Sequence, residues 1–401
     1  MIIGFDAKRI VRNGTGLGNY GRTLVADLHQ EAADIPLLLF APNKGRDELR
    51  NQLHEDLTLQ YIYPSQWWWR HCPNLWRQHG MVSELRRHGV TIYHGLTGEL
   101  PVGLHKAGIH SVVTIHDLIF LRHPEYYHRI DVEIYRRKFI HAVKQADRII
   151  AISERTRQDI CELGNISANR IDVVYQSCAR LFHNPGEETA RREQPQLNPG
   201  RLSATSPDSQ AAVNPHRAVF PPGSPSLPYP FVLSVGSIEP RKNLLLTVKA
   251  LRQLPDDVHL VAVGRATDYA RQVADYARSH QLSHRLHLLH DIDDQQLVSL
   301  YQQASVFAYP SRYEGFGIPI IEAIHSGLPV VAATGSCLEE AGGPDCLYVG
   351  PDDDDGMAAA LAQLLKEGKN SQRTARAAQY IQRFNNADVA RQVLTIYHEL
   401  N

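Results

Sequence analysis

The 401-residue chain predicts an α/β protein of two lobes, each a parallel sheet covered by helices on both faces, with a cleft between them. Three observations carry this. Short apolar runs alternate with amphipathic stretches, a proline-rich segment interrupts the pattern once, and the alternation then resumes for a similar length. Strand–helix alternation favours parallel sheets, because a crossover must separate parallel neighbours. At about 150 residues per domain, two or three domains fit this length.

Residues 2–5, 37–40, 91–94, 111–115 and 148–152 read as buried strands, and 20–31 and 132–145 as helices. They define a first lobe at 1–184. Between 185 and 230 lie 10 of the 23 prolines, with Gly, Ser, Gln and Arg among them. Such a composition buries too little surface to offset its ordering entropy, so 185–230 reads as a flexible linker or insertion. Strands resume at 231–235, 258–263, 286–289, 306–309 and 330–333, giving a second lobe at 231–383. A closing helix, 387–400 within 384–401, is expected to brace the first lobe. Ligands of open parallel sheets lie beyond the carboxyl ends of the strands, which places a site in the cleft.

Composition excludes several classes. Forty-two Lys+Arg against 43 Asp+Glu leave a net charge of -1, which gives no whole-protein electrostatic basis for nucleic-acid binding. No apolar run approaches the roughly 20 residues of a membrane-spanning helix. The start, MIIGFDAKRI, lacks the pattern of a signal peptide. Five cysteines without a C-x-x-C argue against a disulfide framework or a structural zinc site and favour a reducing cytoplasm. The 21 histidines include no H-E-x-x-H and read mostly as surface.

Four segments carry the chemistry. Gly14, Gly16 and Gly18 precede the first helix, as a flexible turn or as a close backbone approach to an anion. A dinucleotide fingerprint fits poorly, because the spacing is G-x-G-x-G and no acidic residue follows the second strand. His116 and Asp117 end an apolar strand at the mouth of the sheet, as hydrogen-bonded loop residues or as ligand contacts. Gly236, Ser237, Arg241 and Lys242 lead from the first strand of the second lobe into a helix at 244–254. This is a diphosphate site or a solvated capping turn. Glu314, Gly315, Phe316 and Gly317 follow a strand and open a helix containing Glu322, with Pro319 suited to its first turn and Gly327 beyond its end. Loop amides there suit phosphate or sugar hydroxyls, and the two carboxylates suit vicinal diols.

Taken in order, these segments resemble glycosyltransferase family 4. The resemblance covers both lobes and implies two Rossmann-like lobes in the GT-B arrangement, with retaining transfer that needs no metal or other cofactor. Residue by residue, it implies that Glu322 binds the donor ribose and that Glu314 with the amides of Gly315, Phe316 and Gly317 holds the donor sugar. Lys242, beside Arg241, neutralises the diphosphate. His116 contacts the sugar near the reacting carbon, and Gly14, Gly16 and Gly18 close over phosphates and acceptor; adjacent Asp117, read from its position alone, serves structurally or holds the site polar. There are departures. Ser237 stands where many members carry a phosphate-binding Arg, which shifts charge onto Lys242 and Arg241. The late aromatic-polar-Trp signature appears as Phe384-Asn385-Asn386.

No side chain is an obvious covalent nucleophile, and no D-x-D triplet sits at a strand end. The acidic run 352–355 reads as a solvated turn. The segments are most like bacterial mannosyltransferases of surface polysaccharide assembly, including lipopolysaccharide O-antigen. That implies GDP-mannose as donor, with a UDP-hexose as competitor. A nucleotide-sugar epimerase and a degenerate binding protein are rival classes, and product analysis without acceptor separates the epimerase. All four tryptophans, Trp67, Trp68, Trp69 and Trp76, fall in one stretch with Arg70, His71, Arg77 and His79. They fill the core or a dimer contact, or they form a peripheral contact with the inner membrane face for a lipid-linked saccharide acceptor.

Overall fold

The computed structural model describes residues 1–183 and 227–401, so the expected linker at 185–230 lies outside the described residues except for 227–230. The two-sheet α/β architecture is present. The first sheet comprises β1 (Ile3–Asp6), β2 (Leu37–Phe40), β3 (Leu59–Ile62), β4 (Ile92–Gly95), β5 (His110–Ile115), β6 (Arg148–Ala151) and β7 (Ile171–Val173), in the order β3-β2-β1-β4-β5-β6-β7. The second comprises β8 (Phe231–Val235), β9 (His259–Val263), β10 (Leu286–Leu289), β11 (Val306–Tyr309), β12 (Val330–Ala333) and β13 (Leu347–Val349), in the order β10-β9-β8-β11-β12-β13. Each pair is parallel, with register such as Phe5 beside Leu39 and Val331 beside Leu347. The central strands are buried along their length, as sheets covered on both faces require.

Three strands escape the sequence reading: β3, β7 and β13. All lie at sheet edges. Burial there is partial, as in the alternating β3 segment Leu59-Gln60-Tyr61-Ile62, so no continuous apolar run marks them. Helix limits differ too. The first long helix is Gly16–Glu31, so Gly16 and Gly18 lie in its first turn and not in a loop ahead of residue 20. A second helix begins at Arg129, earlier than 132, and the one expected to reach 254 ends at Leu251.

Ile3, Phe5, Val25, Leu28 and Leu39 form much of the first-lobe core. Val389, Val393 and Tyr397 of the last helix, Asn386–Leu400, join them there. The Tyr397 hydroxyl lies 2.6 Å from Nδ1 of buried His94, and Asn386 donates to Asp27 at 2.7 Å. Removing such a helix would expose apolar surface at about 25 cal/mol per Å².

The tryptophans do not form one patch. Trp76 is fully buried with Met81 and Leu85, and Trp69 packs against that cluster while its indole donates to Gln66. Arg77 is buried against Asp6 and Glu99 and is not available to an anionic surface. Trp67 and Trp68 remain outside, at 68% and 49% exposure. Among the described residues, no helix is long and apolar enough to cross a membrane.

Candidate active site

The β8 strand ends at Val235, just before Gly236, and a 3-10 turn, Pro240–Lys242, then leads into the Leu244–Leu251 helix. Both cations of that turn point at one carboxylate. Lys242 Nζ is 2.6 Å and Arg241 Nη1 2.9 Å from Glu314 Oε1, and the Ser311 hydroxyl donates to the same oxygen. Lys242 also donates to the Tyr309 hydroxyl at 2.7 Å, and Arg241 to the Tyr313 carbonyl at 2.7 Å. Burial alone would raise the Glu314 pKa. The charges of Lys242 and Arg241 outweigh it and hold the carboxyl at about 2. The trio carries a net positive charge, and Ser237 shares a small hollow with Gly236, Lys242 and Tyr309.

The loop after Tyr309 crosses to the first lobe. Its carbonyls are taken up by protein: Ser153 Oγ donates to the Gly315 oxygen at 2.7 Å, and Cys337 Sγ to those of Phe316 at 2.8 Å and Glu314 at 3.1 Å. A β-carbon at residue 315 would overlap the His116 carbonyl oxygen, so only glycine lets the loop seat there. The Phe316 ring stacks on Tyr175 at 5.4 Å and meets Phe384 edge-on. Phe384, the aromatic of the Phe384-Asn385-Asn386 stretch, thus packs against the loop.

Around this junction the lobes are tied by polar contacts. Glu340 accepts from the amides of Glu154 at 2.7 Å and Arg155 at 3.0 Å, at the start of the Glu154–Gly164 helix. Negative charge is favoured at a helix N-terminus. The Tyr313 hydroxyl donates to Asp159 and accepts from Arg155 at 3.0 Å.

On the first-lobe side, β5 ends at Ile115 and presents His116 and Asp117. The His116 ring is fully engaged. Its Nε2 lies 2.8 Å from the Leu96 carbonyl, and its Nδ1 accepts from Gln176 at 3.0 Å. Burial lowers its pKa to about 4, so the imidazole is neutral and is no proton reservoir near pH 7. Burial raises the Asp117 carboxyl, and Arg241 and Glu314 of the other lobe act on it with opposite signs. Asp117 lies against the loop of the other lobe, its Cβ beside Gly315, and its carboxylate accepts from the Ile119 amide at 3.1 Å.

The Tyr20 ring meets His116 edge-on at 4.6 Å, which brings the start of the Gly16–Glu31 helix to the same place. No side chain caps that start, and a β-carbon at Gly18 would overlap the Asn13 carbonyl. Gly14 lies just ahead, against Arg46, and Gly16 faces open space. A cavity of about 260 Å³ opens beside His116 and Asp117, lined by Leu17, Glu99, Tyr127, Tyr135 and Lys138.

Glu322 lies apart from this cluster, inside the Ile318–His325 helix. Burial pushes its carboxyl up to about 7, although it accepts from the Tyr301 hydroxyl at 2.8 Å. The structure thus gathers Arg241, Lys242, Glu314, Gly315, His116 and Asp117 at one junction and sets Glu322 further along the same loop–helix unit.

Several contributors were not visible from sequence. Tyr309 ends β11 and Ser311 follows two residues later, just before the glycine loop, so the strand-end rule could have flagged them. Tyr301, Gln176 and Glu340 carry no local motif and reach the site only through the fold.

Two Rossmann-like sheets meeting at such a junction have the architecture of a GT-B glycosyltransferase. Residues 14–177 match the family described as Glycosyltransferase Family 4, and residues 220–380 match Glycosyl transferases group 1. The O-antigen chain mannosyltransferase B of Escherichia coli is 28% identical over 291 residues, covering 71% of this chain and 67% of that one. The O-antigen chain mannosyltransferase RfbU of Salmonella typhimurium is 25% identical over 254 residues, covering 63% and 60%. In fold, the chain is similar to Anabaena HepE crystallised with UDP and glucose, at TM-score 0.68 and 17% identity over 99% of both chains. The chain belongs to the family 4 glycosyltransferases.

Proposed function

We propose that the protein transfers mannose from GDP-mannose to a saccharide acceptor in the assembly of an O-antigen-like polysaccharide, retaining the anomeric configuration and using no metal in the reaction. The observation that carries this reading is the junction at Gly315, where the Glu314 loop and two cations of one lobe meet the His116–Asp117 strand end of the other. The named activities of the two O-antigen relatives support mannose as the sugar.

Lys242 and Arg241 take the diphosphate, with the Ser237 turn beside it and the uncapped helix start at Gly16 facing it. Glu314 exchanges its cation contacts for donor-sugar hydroxyls. The Gly315, Phe316 and Gly317 amides join it, since the loop's carbonyls already point into protein. His116 exchanges its Leu96 contact for a sugar hydroxyl, and Glu322 grips the ribose diol. The bond from the anomeric carbon to the phosphate oxygen breaks as the acceptor oxygen bonds to the same face. The acceptor proton passes to the departing phosphate. The protein contributes preorganised positive charge where negative charge grows.

A donor panel tests this reading. Saturable transfer from GDP-mannose, absent with UDP-glucose and UDP-N-acetylglucosamine, is expected. Transfer from a UDP-hexose alone would overturn the donor, and sugar isomerisation without acceptor would overturn the class. Initial rates taken within minutes of adding EDTA should be unchanged. Loss of rate restored by Mn²⁺ would assign a catalytic metal.

Exposed Trp67 and Trp68 support a peripheral contact with the inner membrane face, where a lipid-linked acceptor would lie. Buried Trp76, with half-buried Trp69 packed against its cluster, serves as its base. The parent should co-sediment with anionic vesicles at low salt, and a Trp67→Ser, Trp68→Ser double variant should lose most of that binding without losing its fold. A parent that stays in the supernatant ends this part of the proposal.

A further inference from the structure

Cys178, His183 and His325 converge at a place the proposed reaction does not use. One ligand atom from each lies within 4.8 Å of the others. Cys178 and His325 are 2% and 7% exposed, and His183 is half-buried. Cys178 Sγ is 3.6 Å from His183 Nε2, and the two imidazole rings stack at 4.2 Å. In a tetrahedral zinc site, Zn–S of about 2.3 Å and Zn–N of about 2.0 Å put sulfur and nitrogen roughly 3.6 Å apart. The Cys178–His183 pair already has that spacing. To reach the same point the His325 ring must leave the stack, because nitrogen lone pairs lie in the ring planes and those of two near-parallel rings do not converge.

We propose that these three side chains form a zinc site, with water in the fourth position. One thiolate and two imidazoles are a borderline-soft donor set that suits zinc over magnesium, calcium or manganese. Binding takes the proton from the Cys178 thiol and releases it to solvent.

The placement gives the site a structural consequence. Cys178 and Phe182 lie beyond β7 of the first sheet yet pack in the second-lobe core, with Phe231, Leu233 and Tyr301. His325 ends the Ile318–His325 helix, one turn after Glu322. Phe182 meets Tyr301 edge-on at 5.4 Å, and Tyr301 donates to Glu322. A metal there fastens the segment after β7, with its 3-10 turn Arg180–Phe182, to the helix that carries Glu322. The sequence argued against a structural zinc because no C-x-x-C is present. The geometry uses a single cysteine, with one histidine nearby in sequence and one from the other lobe.

The test uses the untagged full chain. Elemental analysis and native mass spectrometry should find about one zinc per chain, and adding Zn²⁺ after exhaustive chelation should raise the thermal midpoint, since a ligand of the folded state stabilises it. The Co²⁺-substituted protein should show a thiolate-to-cobalt charge-transfer band. Cys178→Ser should abolish that band, and His183→Asn should weaken metal affinity by about 10-fold or more. His183 is half-buried, so its variant serves if Cys178→Ser fails to fold. Absence of both bound zinc and the cobalt band in the parent overturns the proposal and leaves a thiol–imidazole contact beside a ring stack. Unchanged zinc content in a folded variant also overturns it, because the metal then lies elsewhere. None of these measurements depends on the donor or on turnover.

Discussion

Lys242→Ala should lower kcat/KM by about 100-fold or more, because deleting one preorganised charge at a developing anion costs about 3 kcal/mol. The lysine is held from two sides, by the Tyr309 hydroxyl at 2.7 Å and by Glu314 at 2.6 Å, so its ammonium is fixed before any ligand arrives. Ser237 supplies no compensating charge, and Arg241 is committed to the Tyr313 carbonyl and to Glu239 as well as to Glu314. The fold should survive, since Lys242 sits at a turn and not in a core. The measurement is steady-state kinetics beside a thermal melt. A variant within a few-fold of the parent would place the diphosphate elsewhere, and a collapsed melting midpoint would mark the lysine as structural. Lys242→Arg should recover only part of the rate, because a planar guanidinium cannot keep both contacts of the ammonium.

Much of this arrangement could be read from the sequence, and the unread parts share a physical cause. Central strands such as β5 and β11 are covered on both faces, so their apolar runs are continuous and their ends are easy to place. Edge strands β3, β7 and β13 carry mixed residues because one side meets solvent. In the site, residues with a local reason for their identity were legible. Gly315 is fixed by close backbone approach, and Lys242 and Arg241 by their place ahead of a helix. Residues whose partners are distant in sequence were not. Nothing near Gln176 announces that it holds Nδ1 of His116, and nothing near Glu340 announces that it receives the amides of another lobe's helix. The tryptophan stretch shows the same limit. Clustering in sequence suggested one surface, but helical geometry turned Trp76 inward and left Trp67 and Trp68 outside.

Glu314→Ala and Glu322→Ala should fail in different ways. Glu314 touches both cations and lies at the junction with His116 and Asp117, so its loss should fall on kcat, by about 100-fold, which at 1.36 kcal/mol per tenfold is about 3 kcal/mol. Free nucleotide should bind the variant no more weakly than the parent, because Lys242 and Arg241 are released from their counter-charge. In the proposed donor pose Glu322, which accepts from Tyr301, holds the ribose, so its loss should weaken nucleotide binding and raise KM with a smaller effect on kcat. The pH dependence separates them further. Glu314 is held at about 2 and stays ionised throughout the working range, so it contributes no titration above pH 4. Glu322 is pushed up to about 7, above the ordinary carboxyl value, so below pH 7 the neutral form predominates and above it the carboxylate. A ribose diol donates best to the carboxylate. Nucleotide affinity in the parent should therefore rise as pH increases from 6 to 8, and Glu322→Gln should flatten that rise. Calorimetric titration of GDP across this range, on the parent and the three variants, measures both effects. Equal losses of nucleotide affinity in Glu314→Ala and Glu322→Ala would contradict the division, and a pH-dependent rise that persists in Glu322→Gln would move the titrating group to another residue.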